Sequence, residues 1–274
     1  MDLTSKKTIR KLLKQHQTQA LKKLGQNFLI DKQVIKKIIA ELILNLPVLE
    51  IGPGIGVLTA ELAKRTKKVI AVEKDLKMVE ILKETIKEIK NIEVIKGDIL
   101  KLNLNSLNLK SKKYQITASL PFHIVSPTIR KFLESEIPPQ QMILVVQKEI
   151  AQRICAKLPH LNILAIAVQF YGKPDILGYI SKKSFWPSPK VDGAILKISK
   201  ICPKFPGIDS KLFFRIVKAG FSTPRKQLLN SLSQGLKIDK KIVKDWLLKN
   251  KIQPSLRPEN LKLEDWVRLT ESIN

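Results

Sequence analysis

Residues able to do chemistry cluster in four short stretches. Val48-Leu49-Glu50-Ile51 runs into Gly52-Pro53-Gly54-Ile55-Gly56, and a helix-compatible segment follows from Val57. Glycine at three alternate positions removes every Cβ from one side of the turn, so a ligand can lie against bare backbone. The first amides of the next helix then face that ligand. Glu73, 21 residues after Gly52, ends the next apolar run, where doubly wound folds place an acid that bonds ribose hydroxyls. Gly97-Asp98 and Ser119-Leu120-Pro121-Phe122 end two further runs. One such position alone could be a solvated turn; four in register describe a small-molecule, nucleotide-like cofactor site.

The elements that hold these residues follow from periodicity. Asp31 is placed to cap a helix whose apolar face is Val34, Ile35, Ile38, Ile39 and Leu42, ending before Pro47. Strands are expected at 48–51, 68–73, 92–95, 114–118 and 142–146, with a helix over 57–65. Strands alternating with helical patterns imply a mostly parallel sheet covered on both faces, and ligands bind beyond its carboxyl edge. A helix is expected at 162–171 and late strands at 175–180 and 191–198, with the rigid loop Phe185-Trp186-Pro187-Ser188-Pro189-Lys190 between them. The breakers at Cys202-Pro203-Lys204-Phe205-Pro206-Gly207 mark a domain boundary. The expected division is 1–203, opening on a basic arm (1–25), and an all-helical domain at 204–274.

Fifty Lys and Arg against 24 Asp and Glu give a formal charge of +26 over 274 residues. Such an excess points to a polyanionic partner, above all nucleic acid, although a lysine-biased proteome accounts for part of it. Two cysteines and three scattered histidines suggest neither a disulfide scaffold nor a metal site. No apolar run is long enough for a membrane span, and the N-terminus lacks the apolar core of a signal peptide. The expectation is a cytoplasmic protein without a membrane partner.

Glu50 with Gly52, Gly54 and Gly56 forms E-x-G-x-G-x-G, which resembles motif I of the S-adenosylmethionine-dependent methyltransferases. From Gln26 to about Leu269 the chain resembles the KsgA-type rRNA adenine N6,N6-dimethyltransferases. The matching stretches include Gln26-Asn27-Phe28-Leu29, Val72-Glu73-Lys74-Asp75, Gly97-Asp98, Val146-Gln147-Lys148-Glu149, Phe185 to Ala194, Phe221 to Lys226 and Arg257-Pro258-Glu259-Asn260-Leu261. The resemblance implies a Rossmann-like class I methyltransferase sheet, S-adenosyl-L-methionine as cofactor, and dimethylation of two adjacent adenosines near the 3′ end of small-subunit rRNA. The partner is then the immature small ribosomal subunit, engaged by a monomer.

It also implies a division of labour. Asn27 and Leu29 line the methionine side of the cofactor, Gly52 and Gly54 admit it to the backbone, Glu73 takes the ribose, and Asp98 takes the adenine amine. Ser119-Leu120-Pro121-Phe122 stands where the family has N-L-P-Y or N-L-P-F. A side-chain oxygen at 119 and the Leu120 carbonyl would accept the target N–H groups, localising a lone pair otherwise delocalised into the ring. Pro121 fixes the turn. Phe122 would stack on a base held out of its helix or loop. Lys148, Lys190, Arg225 and Lys226 are the candidate RNA contacts, positioning phosphates without reading sequence. The chain departs from the family at Ser119, at Phe122 in place of the commoner Tyr, and at Leu158-Pro159-His160-Leu161-Asn162, where a longer loop is usual. Two other readings are a large-subunit rRNA methyltransferase of the macrolide-resistance type and an assembly or transcription factor with weakened methylation.

Overall fold

The protein was analysed as a computed structural model describing residues 1–21, 24–202, 205–223 and 225–273. The expected boundary residues Pro203 and Lys204, and Pro224 of the basic motif, lie outside the described residues, as do Lys22 and Lys23 of the arm. The chain forms two compact units, residues 1–151 with 173–201 and residues 152–172 with 202–273. By packing, residues 152–172 group with the C-terminal helices that follow residue 202.

In the first unit, β2 (Val48–Ile51), β3 (Val69–Glu73), β4 (Ile92–Lys96), β5 (Gln115–Ser119) and β6 (Met142–Gln147) are parallel. β7 (Lys173–Ile180) and β9 (Gly193–Ser199) complete the seven-stranded order β4-β3-β2-β5-β6-β9-β7, with β9 antiparallel to both neighbours. The chain runs outward from β2 to β4, then returns to place β5 against the other side of β2. That reversal is a topological switch point, where the crossover connections part and leave a crevice. β2 and β3 are buried at every residue, as parallel strands covered on both faces must be.

Three helices begin beside this edge. α2 (Lys32–Ala40) is capped by Asp31, whose carboxylate accepts the Gln33 and Val34 amides. It ends well before Pro47, because the Gln115 side chain takes both backbone groups of Ile43, at 2.9 Å each. α3 (Val57–Ala63) follows the glycine turn, and α4 (Leu76–Thr85) is capped by Asp75. α5 (Val125–Leu133) then connects β5 to β6, and α6 (Lys148–Ile154) carries the chain out of the first unit.

The N-terminal stretch is folded rather than a free arm. α1 (Lys6–Gln15) buries Ile9, Leu12 and Leu13 in the main core and leaves its basic residues exposed. A two-stranded ladder not expected from the sequence pairs β1 (Phe28–Leu29) with β8 (Phe185–Trp186). Two-residue strands carry no readable alternation; side chains secure this one, as Ser184 Oγ donates to Asp31 at 2.8 Å.

The second unit is helical. α7 (Ile163–Tyr171) is the expected apolar helix, and Phe170 stacks on Phe213 at 4.4 Å between ring centroids. Phe213 belongs to α8 (Ser210–Gly220), followed by α9 (Leu228–Leu236), α10 (Lys240–Lys249) and α11 (Leu263–Ser272). This aromatic packing explains why α7 groups here. Each such pair contributes roughly 0.5–1.5 kcal/mol beyond the area it buries. No helix among the described residues is long and apolar enough to cross a membrane.

Candidate active site

At the switch point the glycine turn is built as the spacing requires. Gly52, Gly54 and Gly56 have φ of 69°, 57° and 89°, a region L side chains rarely adopt. A Cβ on Gly54 would also press the Phe28 ring at 3.2 Å, whereas at Gly52 the nearest neighbour is the Ser119 carbonyl oxygen at 3.9 Å. The ends of β2 and β5 thus face one another across the crevice.

Glu73 closes β3 and is held from both sides. One carboxylate oxygen accepts the Gly54 amide at 3.1 Å and the other the Asp75 amide at 2.8 Å. The residue also lines the cavity beyond the strand ends. Burial pushes its pKa up, and the amides partly offset this. Asp98 is half-buried and held below the usual carboxylate range, chiefly by Lys74 at 2.9 Å, with the Leu100 amide on its other oxygen. Lys74 is 64% exposed, so its ammonium can move into water when a ligand amine takes its place.

The cavity is walled by Asn27, Leu29, Gly52, Gly54, Glu73, Asp98 and Ser119, which are all seven residues assigned to the cofactor from sequence. Glu50 and Gln26 line it too, and neither had been given a role on its own. Glu50 is 2% exposed, and its Oε2 has no hydrogen-bond partner. Burial, with the charge of Glu73 adding, pushes its pKa up to about 8; the nearby Thr59 hydroxyl works the other way without reaching hydrogen-bond geometry. An orphaned buried carboxyl oxygen beside a bare glycine turn fits a ligand that brings its own positive charge. Its signal in the sequence was the acid two residues before the first glycine. Gln26 bolts the adjoining segment down: its amide donates to Asp75 at 2.7 Å, and its oxygen accepts the Leu21 amide at 2.8 Å.

A second cavity adjoins the first and shares Gly25, Asn27, Ser119, Pro121, His123 and Val145 with it. Leu120, Phe122, Gln147, Phe185, Pro189 and Gly193 are among its other walls. Gly25 packs so tightly on Pro121 that a Cβ there would lie 2.7 Å from the proline Cβ. Phe122 is 58% exposed at the rim, which leaves its ring available to stack on a ligand. Ser119 is partly buried where the two cavities meet, and among the described residues its hydroxyl makes no hydrogen bond. Lys148 follows Gln147, and its ammonium lies 5.2 Å from the Tyr179 ring centroid. Lys190 is exposed between Pro189 and Val191 of the cavity wall. Arg225 and Lys226 are exposed in the second unit, in the connection from α8 to α9. Among the described residues no group of three or more His, Cys, Asp or Glu is placed to hold a metal ion.

A carboxylate-lined nucleoside cavity opening into an aromatic-rimmed one, on a sheet of this order, is the layout of a class I methyltransferase that modifies a ring amine. The solved structures agree. A dimethyladenosine transferase from Plasmodium falciparum is 27% identical, with a TM-score of 0.73 over 88% of this chain and 95% of that one. The 23S rRNA methyltransferase ErmE is also 27% identical, with a TM-score of 0.71 over 89% and 98%. Residues 17–274 match the family model for ribosomal RNA adenine dimethylases. The chain belongs to that family. Among its curated relatives, ribosomal RNA small subunit methyltransferase A of Dehalococcoides mccartyi is 39% identical over 265 residues, 95% of this chain and 90% of that protein. The protein of the same name from Alkaliphilus oremlandii is 35% identical over 280 residues, 99% and 98% of the two chains.

Proposed function

We propose that this protein uses S-adenosylmethionine to dimethylate N6 of two adjacent adenosines near the 3′ end of small-subunit rRNA. It acts as a cytoplasmic monomer on immature small subunits. The observation that carries the reading is the pair of joined cavities that share the Ser119–Pro121 wall: one bears carboxylates for a cationic nucleoside, the other an exposed aromatic and open acceptors. The two curated relatives described above, both small-subunit enzymes by name, favour that substrate over large-subunit rRNA, which the fold alone does not separate.

When bound, the cofactor supplies a methyl group on a sulfonium. The chain's own residues do the positioning. Glu73 offers two oxygens, fixed by backbone amides, to the ribose hydroxyls, and Asp98 accepts from the adenine amine once Lys74 yields. Glu50 meets the positive charge of the methionine portion. On the target side, Ser119 Oγ and the Leu120 carbonyl accept the two N–H groups of the substrate amine, turning its lone pair toward the shared wall. Phe122 stacks on the extruded base. No strong base is required, because the leaving group departs from a cation; alignment is the main contribution. Lys148, Lys190, Arg225 and Lys226 hold rRNA phosphates.

The test is methyl transfer from labelled S-adenosylmethionine to immature small subunits, large-subunit rRNA and unrelated RNA, followed by mapping of the modified nucleotide. The expected product is dimethyladenosine at two neighbouring positions of small-subunit rRNA only. Label in large-subunit rRNA, or tight subunit binding without label, overturns the proposal.

A further inference from the structure

Two features lie outside the site above: the basic N-terminal stretch and the aromatic, proline-rich loop that follows Phe185. Both belong to the first unit, and they form the two walls of one groove. Arg10, Lys14, Gln17 and Gln19 stand on one side, Trp186 and Pro187 on the other. Among the described residues no acid lines it. α1 fixes this arrangement by burying Ile9, Leu12 and Leu13, which turns Arg10 and Lys14, four residues apart, to the surface. The Arg10 guanidinium lies 5.6 Å from the centroid of the Trp186 ring, which is only partly buried. Cations for phosphates, a guanidinium lying over an indole as a platform for a base and side-chain amides for base edges make a single-strand binding surface.

Its position says which strand. Phe185 and Pro189 line the target cavity, while Trp186 and Pro187, between them in sequence, line the groove. Neighbouring residues of a strand face opposite ways, so β8 presents Phe185 to the cavity and Trp186 to the groove from backbone positions about one residue rise (~3.3 Å) apart. A strand with one base in the cavity therefore has a neighbouring nucleotide within reach of Trp186. We propose that the groove binds the single-stranded RNA flanking the target adenosine, with a base against the stacked Arg10–Trp186 pair and phosphates on Arg10 and Lys14. This rests on the methyltransferase reading given above.

The full chain is titrated with a short single-stranded oligoribonucleotide and, separately, with inorganic polyphosphate and polyglutamate, following tryptophan emission. Trp266 is fully buried, and Trp246 is partly buried in the second unit with its indole donating to Ser272, so the groove's signal is the quenching that Trp186→Phe removes. The oligoribonucleotide should quench emission, and Trp186→Phe should abolish the quench. Arg10→Gln with Lys14→Gln, both on exposed positions, should weaken binding about 10-fold or more and lower the salt slope by about two. The same double variant should raise KM for the small-subunit substrate while leaving S-adenosylmethionine affinity unchanged. Equal quenching by polyphosphate, tighter binding of polyglutamate, or an unchanged RNA affinity and KM in the double variant would overturn the groove's assignment. These outcomes are distinct from failure of the methyltransferase reading, which shows as absence of methylation by the unmodified protein.

Discussion

The two halves of the site are built from different materials. On the cofactor side, function sits in backbone and strand-end carboxylates already committed to the fold: Glu73 is 7% exposed and holds two amides, and the glycine turn sits in left-handed conformations. On the target side, the proposed function sits at the end of β5 and in the turn that follows it. Phe122 is 58% exposed, and the Ser119 hydroxyl has no partner among the described residues. On the proposed reading the first half is preorganised and intolerant of change, whereas the second takes its final contacts from the RNA. Substitutions in the first should cost binding outright, and substitutions in the second should cost rate and substrate affinity by smaller factors.

The largest effect is expected from Gly54→Val. A β-branched side chain at φ 57°, against the Phe28 ring, forces the turn to rearrange, and S-adenosylmethionine affinity should fall more than about 100-fold by calorimetry. Retained affinity would show that the turn is not the contact surface. Next is Phe122→Ala. Losing a base–aromatic stack costs roughly 1–3 kcal/mol, so kcat/KM for small subunits should drop about 5- to 100-fold with cofactor affinity intact.

Glu50→Gln probes the boundary between fold stability and binding. Because burial holds its folded pKa up to about 8 against an ordinary value of 4.5, the folded protein keeps this proton while the unfolded chain loses it. Its stabilising effect is therefore complete below pH 4.5 and is lost as pH rises toward 8, a change on the order of a few kcal/mol. The ligand-free Glu50→Gln protein should show a flatter melting profile over that range and a higher Tm at pH 8, yet bind S-adenosylmethionine about 10-fold more weakly. An unaltered pH profile would remove Glu50 from the account. The smallest effect is expected for Ser119→Asn, whose longer carboxamide reaches further toward the amine. Turnover should rise a few-fold under single-turnover conditions, and no gain would mean that the hydroxyl already suffices.

The same contrast explains what was legible in the sequence. Glycine spacing and acids at strand ends are local signals, and every residue assigned to the cofactor lines one cavity. The parallel strands were readable because most are short apolar runs rich in β-branched residues, bounded by turn residues and buried in the sheet, as in β2, β3 and β6, while β4 is only partly covered. The end of α2 was not, since it depends on Gln115, some seventy residues away, capturing the backbone of Ile43. The β1–β8 ladder escaped for the same reason: four residues paired across about 150 positions leave no period to read. The placement of residues 152–172 with the C-terminal helices hangs on Phe170 meeting Phe213, a contact no boundary composition announces.

The division itself is tested most directly by crossed binding titrations of Glu73→Ala and Phe122→Ala with S-adenosylmethionine and with small-subunit RNA. Glu73→Ala should lose cofactor binding by at least about 100-fold and keep RNA affinity, whereas Phe122→Ala should do the reverse to a smaller degree. Loss of both ligands in both variants, with the fold intact, would contradict a site made of two separately built halves.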